Sequence, residues 1–192
     1  MNDIKSLFKE SNNFTAHPLC TINLYKIHIK EWKEHKNKIL SLMYSCFNST
    51  REYIDDPLIS YTDYFNSVRM EYAEEFIPIV KPYLQKFNPD SVYKFRGING
   101  IWAQRYYAND FHAPHDHGTL GYSCVFYAKF DPKVHSSTMF LPPFSNAYGK
   151  RCLTDMENII EGDLLIFPSN ITHMSTPHKS DIDRVIISFN LT

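Results

Sequence analysis

From about Ser91 onward the chain breaks into short β-rich runs: Val92 to Phe95, Gly100 to Tyr107, Leu120 to Phe130, Thr138 to Leu141, Asp163 to Phe167 and Arg184 to Leu191. Gly, Pro, Asn and Asp punctuate the intervals between them. That texture favours an antiparallel sandwich or barrel over alternating strand–helix–strand units. The second half is therefore expected to be a β scaffold, and the rest of the chain has to pack against it.

The first half reads differently. Leu19 to Ile29 alternates apolar and polar residues as a half-buried strand does. Between Lys30 and Phe47, Trp32, Ile39, Leu40, Met43 and Phe47 recur at helical spacing and predict a long amphipathic helix. Ser49 to Pro57 carries turn-forming residues and predicts a loop. Tyr61 to Phe87 repeats the helical pattern through Phe65, Val68, Tyr72, Phe76 and Ile79, with Pro78 and Pro82 expected to bend or divide it. Neither helix can bury its apolar stripe alone, so both are expected on one face of the β scaffold. The expectation is an α+β fold in a single domain over 1–192, with a mainly helical support region to about residue 90.

Composition narrows the function. With 20 basic and 21 acidic side chains the formal charge is −1, which gives no overall attraction toward nucleic acid or anionic membrane. Cys20, Cys46, Cys124 and Cys152 are scattered and form no Cys-x-x-Cys pair, as expected of reduced thiols. The amino terminus lacks a signal-like apolar segment, and no later run reaches membrane-spanning length. A soluble, cytoplasmic protein is the expectation.

The chemistry concentrates in one stretch. Phe111 to Gly118 places His112, His115, His117 and Asp116 within eight residues. On an extended segment residues two apart share a side, so His115 and His117 would project together and Asp116 away from them. His173, after the apolar run ending Phe167-Pro168, is the best third ligand. Imidazole suits Fe, Zn, Cu or Ni, so the ligand type does not select the metal. His112 is expected to support the site or face a substrate, and His17, His28, His35, His135 and His178 to be surface or hydrogen-bonded core residues. Taken alone, Arg184 reads as a surface ion pair with Asp181 or Asp183. Trp102, Tyr106, Tyr107, Tyr122 and Phe126 could line a pocket, although aromatic residues on such strands are more often core.

These residues resemble the Fe(II)- and 2-oxoglutarate-dependent oxygenases. Tyr106 to His117 is similar to the prolyl 4-hydroxylase-type pattern, in which a tyrosine precedes the first iron-binding histidine by nine residues. Ser123 to Tyr127, Gly162 to Ser169, His173 and Arg184 to Asn190 resemble the small 2-oxoglutarate oxygenases of marine bacteria and their phages. The resemblance implies a double-stranded β-helix, or jelly roll, with iron at one open end. It places His115 and His173 in the two histidine positions of the metal triad, and Arg184 on the distal carboxylate of 2-oxoglutarate with Ser188 and Tyr106 beside it. Most of the superfamily carries Asp or Glu two residues after the first histidine, whereas this chain has His117. The implied catalytic and metal set is thus His115, His117 and His173, with Fe(II) as cofactor and 2-oxoglutarate as co-substrate.

The implied activity is hydroxylation of a small molecule or peptide with release of succinate and CO2. The competing expectation is a cupin-like metal-binding jelly roll without oxygenase turnover, because three imidazoles also fit zinc. A three-histidine thiol dioxygenase is disfavoured by Arg184, which follows His173 by eleven residues. An amphipathic first half could pack inward or build a homodimer.

Overall fold

The computed structural model describes residues 22–49, 59, 61–66, 70–87, 96–118, 121–145, 148–151 and 153–192. His17, Val68, the expected strand from Val92 to Phe95, the start of the first expected strand and most of the expected Ser49 to Pro57 loop lie outside them. The elements run β1 (Tyr25–His28), α1 (Trp32–Ser49), β2 (Tyr61–Thr62), α2 (Glu71–Leu84), β3 (Ile98–Tyr106), β4 (His112–His115), β5 (Tyr122–Lys129), β6 (Thr138–Phe140), β7 (Thr154–Asp155), β8 (Asp163–Pro168), β9 (His173–Ser175) and β10 (Arg184–Leu191). They form a six-stranded sheet in the order β1-β8-β5-β10-β3-β2 and a four-stranded sheet in the order β4-β9-β6-β7. Every pairing is antiparallel. This is the expected α+β arrangement of helices on a double-stranded β-helix.

Alternation along the large sheet divides its residues between two faces. Val185, Ile187, Phe189 and Leu191 of β10 join Cys124, Phe126 and Ala128 of β5 and Leu164 and Ile166 of β8 in one buried cluster with both helices. The alternate residues Ile186, Val125, Tyr127, Leu165 and Phe167 face the interior of the roll. The α1 stripe Trp32, Ile39, Leu40, Met43 and Phe47 is buried as its spacing predicts. Trp32 and Phe76 each meet Phe126 edge-on or tilted, at 4.8 Å between ring centroids. Gly162, at φ +87°, has to lack a side chain, since a Cβ there would stand 3.2 Å from Trp32 and 3.3 Å from His28.

The second expected helix is half the length its periodicity predicts. Tyr61 and Thr62 form a strand that pairs with Arg105 and Gln104, and Phe65 is 74% exposed rather than on a buried stripe. Backbone pairing with the edge of β3 outweighs helical propensity there. From Glu71 the helix runs unbroken through Pro78 and Pro82. Both prolines are exposed, so water can satisfy the carbonyls that lose their helical donors. Asp63 ties the β2 segment down: Tyr72 Oη donates to one carboxylate oxygen at 2.7 Å and the Ala103 amide to the other at 2.6 Å.

A charged cluster joins α1 to the sheet. Arg105 Nε donates to Asp183 at 2.6 Å, Tyr44 Oη donates to it at 3.1 Å, and Lys129 Nζ pairs with its other oxygen. Burial raises the Asp183 carboxyl, but the hydrogen bonds from Lys129 and Arg105 outweigh it and hold it below the usual carboxylate range. A depressed carboxyl stabilises the fold above the ordinary carboxylate value of about 4 and loses that contribution as pH falls through its folded value. Asp183→Asn is therefore expected to cost about 2 kcal/mol at pH 7. Urea unfolding from pH 7 down to pH 2 should also show a shallower acid loss in the variant than in the parent.

Candidate metal and co-substrate site

The small sheet brings the histidines together. β4 pairs with β9 so that His115 stands directly opposite His173 and His112 opposite Ser175. Three residues of β4 span what two residues of β9 span, a bulge that contains Pro114, which has no amide to give the ladder. His117 lies just past the strand end, held by its amide bond to the Ser169 carbonyl at 2.9 Å. Ring centroids are 4.3 Å apart for His115 and His173, 5.3 Å for His115 and His117, and 5.0 Å for His117 and His173. One ring nitrogen of each lies within 4.8 Å of the others. Asp116 stands outside this group, its carboxylate accepting the Gly118 amide at 3.0 Å across a turn with Gly118 at φ +98°.

Each imidazole has one nitrogen already committed. His115 Nδ1 bonds the Ala113 carbonyl at 2.8 Å, His173 Nδ1 the Ile171 carbonyl at 2.9 Å, and His117 Nδ1 faces Asn190 Oδ1 at 2.8 Å and Ser123 Oγ at 2.9 Å. A carbonyl can only accept, so Nδ1 carries the proton and Nε2 keeps its lone pair. Burial pushes His173 down to about 3 and lowers His115 as well, so both are neutral at pH 7. Three converging ring nitrogens with oriented second nitrogens fit a divalent transition metal, Fe(II) included. His112 stacks on His115 at 3.9 Å, and its Nδ1 lies 3.2 Å from Gln104 Nε2.

Arg184 is not a surface residue: it is 1% exposed at the start of β10, opposite Tyr106 in the register. Asp183 belongs to Arg105 and Lys129, which removes the ion pair expected from proximity in sequence. The Arg184 guanidinium donates to the Ser136 carbonyl at 2.8 Å, to Ser175 Oγ and to the Thr176 carbonyl at 3.1 Å, and it stacks over the Tyr106 ring at 4.5 Å. All of these acceptors are neutral, and Nε has no partner among the described residues. Such a buried cation calls for an anion. Ser188 lies on the same face of β10, its hydroxyl 3.4 Å from Gln104 Oε1.

A small space of about 20 Å³ lies between the histidines, Tyr106, Ser175 and Ser188, next to a cleft of about 420 Å³. The two share Trp102, Gln104, His112, His115 and His117 as walls. Trp102 lines the cleft as the sequence allowed, whereas Tyr122 and Phe126 pack on the helix side and Tyr107 lies under the Arg105 guanidinium at 4.4 Å. Gln104 and Asn190, which line the cleft and contact His112 and His117, are positions the sequence did not single out. The signal for both was period two, with Trp102, Gln104 and Tyr106 on β3 and Arg184, Ser188 and Asn190 on β10. His135 and His178 are buried and bonded to the carbonyls of Ile182 and Tyr106, as expected for core histidines.

Comparison with known proteins agrees with this geometry. Residues 100–190 match the family described as "Putative 2OG-Fe(II) oxygenase". A search of curated protein sequences finds no match. Among solved structures, a Pseudomonas putida prolyl-4-hydroxylase is similar with a TM-score of 0.63 at 11% identity, covering 89% of this chain and 92% of its own. A Trichoplax adhaerens prolyl hydroxylase, solved with a hypoxia-inducible-factor peptide fragment, gives a TM-score of 0.61 at 14% identity, over 88% and 82% of the two chains. A collagen prolyl hydroxylase of Paramecium Bursaria Chlorella virus-1, solved with 2-oxoglutarate, gives 0.52 at 12% identity, over 88% and 94%. The family match covers the segment that holds all three histidines and Arg184, and the fold is shared with prolyl hydroxylases: residues 100–190 of this chain are similar to the 2OG-Fe(II) oxygenases.

Proposed function

We propose that the protein is a dioxygenase that hydroxylates a C–H bond of its substrate while 2-oxoglutarate and O2 are converted to succinate and CO2. One juxtaposition carries this reading: three imidazoles converge on one point, and a buried arginine without a carboxylate partner among the described residues contacts Ser175 and Tyr106, two walls of the adjoining cavity. His115, His117 and His173 would hold the iron through Nε2, and Arg184 would hold the distal carboxylate of 2-oxoglutarate, with Tyr106 and Ser188 beside it. Iron(II), when bound, supplies the redox centre at which the co-substrate and dioxygen are consumed.

The chain's own part is binding and orientation. A planar guanidinium can grip a carboxylate with two parallel hydrogen bonds, and it exchanges neutral Ser175 and Thr176 partners for a charged one. The space of about 20 Å³ between the histidines, Tyr106, Ser175 and Ser188 is smaller than 2-oxoglutarate, so entry requires its walls to part, the Arg184–Ser175 contact among them. Replacing the usual carboxylate by His117 leaves the metal site one unit more positive, which favours a dianionic co-substrate. The cleft of about 420 Å³ beside the triad is the natural place for the substrate. A peptide substrate is consistent with the peptide bound by the Trichoplax relative. Among the described residues no helix is long and apolar enough to cross a membrane.

Two measurements test the assignment. Anaerobic addition of 2-oxoglutarate to the Fe(II)-loaded protein should produce a visible metal-to-ligand charge-transfer band, and Arg184→Lys should weaken 2-oxoglutarate binding at least about tenfold while metal binding persists. A metal site unrelated to 2-oxoglutarate would leave no band in either protein. Separately, Asn190→Ala removes the acceptor that fixes the His117 ring, so Fe(II) affinity measured by competition with a chelator should fall by about 10- to 100-fold. An unchanged affinity would place His117 outside the metal set.

A further inference from the structure

The cleft beside the triad has a wall of aromatic rings that the fold itself does not need. Tyr64 and Phe65, in the turn after β2, are 57% and 74% exposed, yet they pack edge-on against each other at 5.1 Å. Tyr64 also meets Trp102 edge-on at 5.0 Å, and Trp102 lies 5.3 Å from His117. An aromatic strip therefore runs from the rim of the cleft to the candidate metal site. The turn that carries it is anchored by Asp63, whose carboxylate is bonded by Tyr72 and by the Ala103 amide. Two large exposed rings held in place by a buried carboxylate are a built surface.

The cleft's charge decides what that surface takes. Among the described residues lining it, Asp116 is the one Asp, Glu, Lys or Arg. Asp116 is exposed and, among the described residues, accepts one amide hydrogen bond, from Gly118, which leaves its carboxylate further lone pairs. A carboxylate and electron-rich ring faces around one cavity attract a cationic nitrogen, the first by charge and the second through the ring quadrupole. An anionic group would meet the Asp116 carboxylate and the negative ring faces, and would be repelled by both. A neutral apolar group would gain the rings and nothing from Asp116.

We infer that Tyr64, Phe65, Trp102 and Asp116 form a subsite for a cationic nitrogen, so that the substrate presents an ammonium or guanidinium group to the cleft. The inference rests on the cleft being the substrate site of the proposed dioxygenase, but binding at the subsite requires neither iron nor 2-oxoglutarate. It is tested on the metal-free protein, by titration with the blocked tripeptide acetyl-Gly-Lys-Gly-amide and its norleucine and glutamate counterparts. Binding is followed through the indole N–H resonance of Trp102.

The lysine peptide should bind about tenfold more tightly than the norleucine peptide, and the glutamate peptide more weakly than either. Asp116→Asn should remove most of the preference for lysine, Asp116→Glu should retain it, and Phe65→Leu should weaken binding of the lysine peptide several-fold. Equal binding of the lysine and norleucine peptides, or a preference that survives Asp116→Asn, overturns the subsite. Because the titration is done without metal, loss of the dioxygenase assignment would show in the charge-transfer band, and loss of the subsite would show here.

Discussion

The structure depends on the alternation of one strand, β10, which lies between β5 and β3 in the large sheet. Val185, Ile187, Phe189 and Leu191 anchor the helices; on the opposite face Ser188 and Asn190 line the cavity and Arg184 contacts its walls Tyr106 and Ser175. The same eight residues therefore fix both the core and the site. A shift of register by one residue would put four apolar side chains into the cavity and a guanidinium among the helices. The apolar packing of Phe126, Phe189, Trp32 and Phe76 opposes that shift, and so fixes which face of β10 carries Arg184 and Asn190.

The cavity is poised rather than relaxed. Arg184 gives up water for neutral acceptors, which leaves part of the cost of burying a cation uncompensated. His173 and His115 are kept neutral by burial, each with Nδ1 turned to a carbonyl two residues earlier in its own segment. On the proposed reading a metal and a dianion would satisfy these groups, and ligand binding would then stabilise this end of the roll. The arrangement resembles a folded receptor whose polar partners are supplied from outside.

Much of this was legible in the sequence, for physical reasons. The α1 stripe could be read because burial leaves a mark at a spacing set by the helix itself. His115 and His173 could be paired because a histidine cluster and a later histidine after an apolar strand fit one antiparallel hairpin of the roll. The resemblance put Arg184 beside Tyr106, and it lies buried there, whereas local charge pointed to Asp183, whose carboxylate is taken by Arg105 and Lys129 from other strands. Such long-range pairing leaves no local trace. For the same reason Tyr61 to Phe65 read as helix: its aromatic spacing fits 3.6 residues per turn, but edge pairing with β3 decides the conformation. The supporting roles of Gln104 and Asn190 depend on which strand becomes the neighbour of which, and periodicity alone does not contain that.

The central claim is that three imidazoles, without a carboxylate, form the metal site beside a cavity whose walls Tyr106 and Ser175 contact Arg184. An anaerobic crystal structure of the Fe(II) and 2-oxoglutarate complex tests it most directly. The account predicts Nε2 of His115, His117 and His173 on one iron, Asp116 outside its coordination sphere, and a co-substrate carboxylate on the Arg184 guanidinium. Iron held by two histidines with the Asp116 carboxylate, or 2-oxoglutarate bound away from Arg184, would contradict it.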